Sequence, residues 1–253
     1  MVTFRRDLEF AACAMRSVRK YATGFDENIV AVPVEDAALF REMAKPLGFT
    51  VIPFEDWPGK GFLKHMAVIC QADAYCYKAD AILHLDSDCL FTEPVDASDY
   101  FINGKPVLYR EKFENFRHHA NRYGWKATVR SAIGIDPEYE YMVRHPAVHV
   151  RSVYAVTRTL IEANTGMPWE RHIALCRNEY PQTFAEFPTL GVVAQHYFEK
   201  SYHFIEQAHG NTECLVDKSR GKVKDFWGPG GLDFECDRHP GQTARQVIDK
   251  ILA

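Results

Sequence analysis

In the first third of the chain, short continuous apolar runs alternate with segments in which apolar residues recur at helical spacing. Three short apolar runs have the length of buried strands, at residues 2–4, 29–33 and 49–53. Between these runs, residues 8–21 and 37–47 place apolar side chains three and four positions apart, which predicts two helices. Gly48 ends the second helix. This β-α-β-α-β order predicts an α/β fold with a doubly wound, mostly parallel sheet flanked by helices.

The remaining pattern extends the same architecture. Helical spacing recurs over residues 63–77 and 148–163, and residues 105–110 form a further apolar run that predicts a strand. Thr243 precedes a closing helix that carries Val247 and Ile248 on its apolar side. The chain contains no repeat or low-complexity linker, so we expect one domain over residues 1–253, with halves that meet near residue 110.

The most informative stretch, residues 81–91, is an apolar run interrupted by two acids. Its length predicts a buried strand that ends at Asp86-Ser87-Asp88. Open α/β sheets place ligands at the carboxyl ends of their strands. Two carboxylates on alternate residues repel each other unless a cation lies between them, and oxygen ligands of this kind suit Mg²⁺ or Mn²⁺ completed by substrate phosphates. Asp86 and Asp88 are therefore the predicted metal ligands, and the alternative is an Asp-rich turn without a ligand.

The acidic stretch and the α/β pattern before it resemble the metal-binding "DxD" strand of glycosyltransferases with the GT-A fold. The opening residues 2–9 also look like those of a small bacterial and phage group of this type. The resemblance covers residues 2–110 well and the rest loosely. It implies a GT-A-like, Rossmann-like fold and a nucleotide-diphosphate sugar as donor.

Several residues become candidates for the donor site. Thr3, Arg6 and Asp7 follow the first strand, where doubly wound sheets contact nucleotides, and Asp86 would face the same ligand. Lys64 lies in the first turn of a predicted helix, where its charge opposes the helix dipole unless an anion is nearby, and it resembles a donor-binding cation of the GT-A enzymes. Ordinary strand-end chemistry and a solvated surface lysine are the alternatives.

Glu186 is the candidate catalytic residue. It lies within an apolar stretch, where a carboxylate is costly to bury unless it is paired or functional. It also resembles the acid that acts as base or acceptor ligand in GT-A enzymes. The alternative is a structural glutamate that caps the following helix.

Residues 111–130 combine basic and aromatic side chains. The segment contains five basic and only two acidic residues, and aromatic residues are interleaved with the basic ones. The basic residues are Lys112, Arg117, Arg122, Lys126 and Arg130, and the aromatic ones are Phe113, Phe116, Tyr123 and Trp125. Such a mixture can grip phosphates and stack bases, which makes DNA a conceivable acceptor. The alternative is a half-buried segment with a solvated face.

The C-terminal part contains a loop with vague similarity to the segment that closes over the diphosphate in some GT-A enzymes. Its relevant residues are His209, Lys222 or Lys224, and Trp227. The third metal ligand is left open between His209 and His239.

Composition limits the compartment and the partners. The net charge of −4 gives no global attraction to nucleic acid. Seven cysteines without a CxxC pair argue against a disulfide framework or a zinc site. No apolar run approaches the ~20 residues of a membrane span. We expect a soluble, cytoplasmic protein without a signal peptide.

The leading hypothesis is a metal-dependent glycosyltransferase that transfers a sugar to an acceptor hydroxyl of a glycan, a small molecule or a hydroxylated DNA base. A haloacid-dehalogenase-like phosphatase also ends a strand in Asp-x-Asp, and Asp233 and Asp237 imitate its later metal acids. That motif normally continues Gly-Thr, whereas Cys89-Leu90 follows here. A binding module on an inactive GT-A-like scaffold is the non-enzymatic alternative.

Overall fold

The computed structural model describes residues 1–55, 57, 61–118, 120–142, 146–177, 179, 183–207, 223–226, 232–235 and 241–253. The helices α1 to α9 are Leu8–Tyr21, Ala37–Ala44, Phe62–Ile69, Ala72–Tyr75, Ala120–Ile133, Ser152–Thr165, Trp169–Leu175, Glu186–Phe198 and Ala244–Leu252. The strands β1 to β12 are Ala22–Thr23, Asn28–Pro33, Phe49–Phe54, Ala81–His84, Cys89–Phe91, Val95–Asp96, Phe101–Ile102, Lys105–Lys112, Tyr139–Glu140, Ala147–Val150, His203–Glu206 and Val223–Asp225. In these described ranges, no helix is both long and apolar enough to cross a membrane.

The chain forms two compact units. The first contains Met1–Asp56, His84–Tyr100 and Leu215–Ala253, and the second contains Trp57–Leu83 and Phe101–Cys214. Each unit draws chain from both sides of residue 110, and the expectation of a single domain stays a prediction.

The first unit opens with the predicted parallel arrangement. Val2 bridges Ala31 of β2 in parallel, and β2 pairs in parallel with β3. Helix α1 connects the Val2 segment to β2, and α2 connects β2 to β3. The two helices and the parallel β2–β3 pair are as predicted, whereas the predicted first strand is reduced to the Val2–Ala31 bridge. Gly48 ends the second helical segment in the left-handed conformation at φ 78°.

Helix α1 is the centre of the first unit because two apolar clusters meet it. Ala11 and Met15 pack with β2 and α2 in one cluster. Phe10 and Cys13 pack in the other cluster, with residues of β5 and α9. Glu9, Arg16, Arg19 and Lys20 form the exposed face of α1, and its buried residues extend around the rest of the helix.

The end of the chain closes the first unit through a capped helix. The Thr243 hydroxyl accepts a hydrogen bond from the Gln246 backbone, and the Gln246 side chain accepts one from the Thr243 backbone. This capping box confirms the predicted start of α9. Val247 and Ile248 then enter the same cluster as Phe10 of α1.

The second unit is built around strand β8. Strand β11 pairs with β8 in parallel, while β7 and β9 pair with it antiparallel. Strands β4 and β10 form a separate pair. The helices of this unit, α3 to α8, pack mainly on one another, with α6 in contact with α4, α5, α7 and α8.

Two sequence predictions differ from the second unit. Residues 148–150, predicted as the start of a helix, belong to strand β10, and α6 begins only at Ser152. A short buried strand has no periodicity that separates it from a helix. The helix predicted over 63–77 is divided into α3 and α4 at Cys70 and Gln71.

Strand pairing gives small parallel and mixed sheets. Among the described residues there are four two-stranded sheets and one four-stranded sheet. A mixed α/β fold is therefore established, and the doubly wound GT-A-like arrangement stays a prediction.

Candidate functional site

The acidic stretch forms a tight connection between two strands of the chain. Strand β4 ends at His84, Asp86 to Asp88 turn the backbone, and β5 begins at Cys89. The Cys89 amide donates a hydrogen bond of 3.1 Å to the carbonyl oxygen of Asp86. Asp86 and Asp88 are both half-buried, so their carboxylates are neither fully solvated nor sealed in the interior.

Two hydrogen bonds hold the backbone at the turn and just after it. The Phe226 amide donates a 2.9 Å hydrogen bond to the carbonyl oxygen of Asp88, next to the antiparallel pair of β5 and β12. The Phe91 amide donates to the Ser17 hydroxyl of α1 at 3.1 Å. Leu90 is fully buried between these contacts. The backbone that carries the two acids is therefore anchored to a helix and a strand.

Asp86 and Asp88 supply two carboxylates, fewer than a complete set of metal ligands. Within the described ranges, no group of three His, Cys, Asp or Glu side chains could hold a metal. Mg²⁺ commonly takes only one or two carboxylates, and phosphates and water complete its shell. His209 and His239, the two candidates for a third ligand, lie outside the described residues.

Thr3 lies at the end of the first strand segment and is 1% exposed. Its amide donates a 3.0 Å hydrogen bond to the carbonyl oxygen of Ala31 in β2. Its hydroxyl Oγ1 is buried, and no hydrogen-bond partner is found for it in the described part of the chain. A buried hydroxyl without a partner carries a free-energy penalty, which a polar ligand would relieve.

Arg6 and Asp7 pair with each other in the short 3-10 helix after Thr3. Arg6 Nε lies 3.2 Å from Asp7 Oδ2, and 70% of the Arg6 side chain is exposed. An exposed ion pair contributes little to stability, at most about 1 kcal/mol. Both residues remain candidates for ligand contact, because neither is committed to the core.

Asp36 is a candidate that the sequence interpretation did not recognise. It follows the carboxyl end of β2, is 8% exposed, and accepts a 3.3 Å hydrogen bond from the Arg5 amide. Asp36 directly precedes α2, but its side chain makes no capping hydrogen bond to that helix. The available signal was its position at the end of a parallel strand, where nucleotides bind in open sheets.

Lys64 and Glu186 lie in the second unit. Lys64 is half-buried in the first turn of α3. Glu186 is the first residue of α8 and is 3% exposed, while Ala185 occupies the N-cap position. The carboxylate at a helix N-terminus is favoured by the helix dipole.

The charge of Glu186 affects the pKa of a buried thiol, that of Cys70. Burial raises the pKa of Cys70 well above its usual range, and the negative charge of Glu186 raises it further. Near Cys70, Arg158 donates to the Cys70 carbonyl oxygen at 2.7 Å and to both Asp73 oxygens at 2.6 and 2.8 Å. A second carboxylate near Cys70, that of the half-buried Asp73, is therefore already neutralised.

The basic and aromatic segment 111–130 offers few free groups. Phe113, Phe116 and Trp125 are buried, so their ring faces are not available for stacking. Lys126 pairs with Asp136 at 3.6 Å, and Arg117 pairs with Glu114. These contacts match a half-buried segment with a solvated face. The side chain of Arg122, and all of His119, lie outside what the structure describes.

The C-terminal candidates are only partly described. Lys224 Nζ lies 5.8 Å from the centroid of the Phe226 ring. Asp233 accepts a 2.9 Å hydrogen bond from Arg245 Nε, and this contact lowers the pKa of Asp233. Lys222, Trp227 and Asp237 lie outside the described residues.

The first unit brings most of the predicted donor-site residues into one compact body. It holds Thr3, Arg6, Asp7, Asp86 and Asp88, together with Asp36. Lys64 and Glu186 belong to the second unit. The chain matches no known family model, and a search of curated proteins gives no match either.

Proposed function

We propose that this protein is a metal-dependent glycosyltransferase that uses a nucleotide-diphosphate sugar. The observation that carries the proposal is the Asp86–Asp88 turn. It follows a strand directly, leaves both carboxylates half-buried, and lies in the unit that opens with parallel strands. These features suit a Mg²⁺ or Mn²⁺ ion held jointly by protein and diphosphate.

The first unit would supply donor binding. Asp86 and Asp88 would hold the ion, which when bound neutralises charge on the departing diphosphate. The buried Thr3 hydroxyl and the Asp36 carboxylate would contact the nucleoside at the ends of the parallel strands. The exposed Arg6 and the half-buried Asp7 would border this ligand.

The second unit would supply the acceptor side. Glu186 would accept the proton of the acceptor hydroxyl if the enzyme inverts. Lys64 would share the charge of the diphosphate. A glycan or small molecule is favoured over DNA as the acceptor, since the rings of residues 111–130 are mostly buried and several of its cations are paired.

Donor binding is tested by thermal unfolding with a panel of nucleoside diphosphates, with and without Mn²⁺. A ligand at a hundred times its dissociation constant adds about 2.7 kcal/mol of stability. We expect this stabilisation to require Mn²⁺ and to disappear in Asp88→Asn. Asp26→Asn, an exposed acid of the same unit, is the matched control. Equal nucleotide affinity with Mn²⁺ and with a chelator would refute the metal site.

The role of Glu186 is tested separately by turnover. Glu186→Gln keeps the side-chain volume but removes the base, so we expect transfer to fall by at least ~10² while donor affinity is retained. Glu199→Gln, an exposed acid just beyond α8, should transfer normally. Normal transfer by the Glu186 variant would assign this residue to the scaffold.

A further inference from the structure

Strands β8 and β11 end together on one edge of the second unit. The two strands are parallel, with Glu206 of β11 directly opposite Arg110 of β8. Lys112 lies two residues after Arg110, on the same face of β8, and is opposite Tyr139 of β9. Open sheets bind ligands outside the carboxyl ends of parallel strands, and Arg110 and Glu206 mark such an end.

The Arg110 guanidinium group is oriented by two aromatic rings. Its Cζ atom lies 4.2 Å from the centroid of Tyr139 and 5.1 Å from the centroid of Phe204. Contacts of this kind attract a cation to the ring face. They also restrict the plane of the guanidinium group before any ligand arrives, which lowers the entropy lost on binding.

The carboxylate nearest in register is held away from Arg110. Glu206 accepts a 3.1 Å hydrogen bond from the Tyr139 hydroxyl through Oε2, and its Oε1 lies 4.0 Å from Lys112 Nζ. Arg110 has no carboxylate within ion-pair distance in the described part of the chain, and its buried Nε atom has no acceptor there. The Tyr141 hydroxyl contacts the guanidinium group but carries no charge, so within the described residues no counter-ion offsets its partial desolvation.

Arg158 shows how the same unit satisfies a comparable guanidinium group. It is also half-buried beside an aromatic ring, with Cζ 5.9 Å from the centroid of Trp169. Its two terminal nitrogens bind Asp73 in the bidentate manner, at 2.6 and 2.8 Å. Asp73 supplies the oxyanion for Arg158, whereas no carboxylate of the described residues does so for Arg110.

We propose that Arg110 binds an oxyanion, a carboxylate or phosphate group, of a small-molecule ligand at the carboxyl ends of β8 and β11. The guanidinium fork matches either group with two parallel hydrogen bonds. Arg110 is only half-buried, so a ligand reaches it from solvent. No residue of the proposed donor site contributes to this oxyanion site, so each site can be tested without the other.

Arginine side-chain nuclear magnetic resonance tests the site directly. The Nε–H signal of Arg110, assigned through bonds, is followed while inorganic phosphate is added to the whole protein at constant ionic strength set with chloride. We expect a saturable shift at Arg110 and none at Arg158, whose guanidinium group is already occupied. A stationary Arg110 signal, or equal shifts at both arginines, would overturn the proposal.

Titrations with acetate and with methyl phosphate then separate the two sources of the oxyanion. Tighter binding of acetate assigns a carboxylate ligand, and tighter binding of methyl phosphate assigns a phosphorylated one. Failure of both to shift the Arg110 signal at concentrations where phosphate saturates it would show a site limited to inorganic ions and would overturn the small-molecule assignment.

A pair of variants tests why the site is open. Tyr139→Phe removes the hydroxyl that holds Glu206, which then competes for Arg110 and should weaken phosphate binding about fivefold. Adding Glu206→Gln removes the competing charge and should restore the affinity. Unchanged binding in Tyr139→Phe would show that Glu206 does not control access to Arg110.

Discussion

Two acid-bearing regions of the molecule differ in how their carboxylates are supported. In the first unit, the Asp86–Asp88 turn is anchored through its backbone, and both side chains are half-buried. In the second unit, the interior around Glu186 is anchored through side chains, with Asp73 bound on both oxygens by Arg158. One region has a fixed main chain and accessible carboxylates, and the other uses its charges for packing.

This difference separates ligand binding from stability. A half-buried carboxylate on a turn whose backbone is anchored can be changed with little effect on folding, whereas removing one partner of a bidentate, half-buried ion pair leaves the other charge unpaired. Substitutions in the second region should therefore lower the free energy of unfolding, and substitutions in the turn should affect ligands alone.

The largest effect is expected when Arg158 is replaced. Arg158→Met removes the charge that neutralises Asp73 and the donor to the Cys70 carbonyl oxygen, and should lower the free energy of unfolding by about 3 kcal/mol. Urea unfolding measures this. Arg245→Met, at an exposed ion pair with Glu9 and Asp233, is the control and should cost less than about 1 kcal/mol. Similar losses in both variants would contradict the comparison.

A smaller loss is expected at Gly191 in α8. A methyl group there would overlap Cβ, Cγ and Cδ2 of Tyr141, whose ring packs directly on the helix backbone. Gly191→Ala should therefore destabilise by about 2 kcal/mol, although alanine is the better helix former. Gly166→Ala, where φ is 68° and nothing crowds the site, should lose only about 1 kcal/mol through backbone strain. A stabilised Gly191 variant would show that Tyr141 moves freely.

His149 should make the second region sensitive to acid. Burial among the rings of Tyr154, Phe187 and Tyr202 lowers the pKa of His149 to about 3, from 6.5. Between these values the unfolded chain binds the proton and the folded chain does not. Stability is therefore lost as the pH falls below 6.5, by up to about 1.4 kcal/mol per pH unit from this group.

The measurement is urea unfolding from pH 7.5 down to pH 4.5. His149→Phe preserves an aromatic ring against Phe187 and should flatten this part of the pH dependence. An unchanged slope in the variant would assign the acid sensitivity to other groups.

The smallest effect on stability is expected in the turn. Asp88→Asn leaves the backbone bonds to Cys89 and Phe226 in place and should change the free energy of unfolding by less than about 0.5 kcal/mol. The same variant should lose Mn²⁺-dependent nucleotide binding. A stability loss as large as that of Arg158→Met would show that Asp88 is a structural residue.

Strong local signals made the first unit predictable. Helix α1 was predicted with the bounds that the structure shows, because its apolar residues recur at helical spacing. Thr243 indicated the start of α9 through its capping chemistry. The parallel opening followed from the order of these elements.

The second unit was less predictable because its contacts are not local. Strand β11 pairs with β8, which lies far from it in the sequence. The four residues of β11 have no hydrophobic periodicity that identifies them as a strand. Residues 148–150 of β10 were predicted as helix for the same reason. The candidate site residues also differ in how far the sequence alone could identify them. Asp86 and Asp88 form a motif in the sequence, whereas the roles of Asp36 and Arg110 depend on neighbours that only the fold supplies.

The hydrogen bond from Phe226 to Asp88 gives the acidic turn a place in the order of synthesis. The chain that carries Asp88 leaves the ribosome well before β12 exists to hold it. At about 5–20 residues per second, the delay is on the order of ten seconds. Until then, β5 lacks its paired strand and α1 lacks the α9 side of its core. The backbone of the acidic turn therefore gains this hydrogen bond only after β12 and Phe226 have been synthesised.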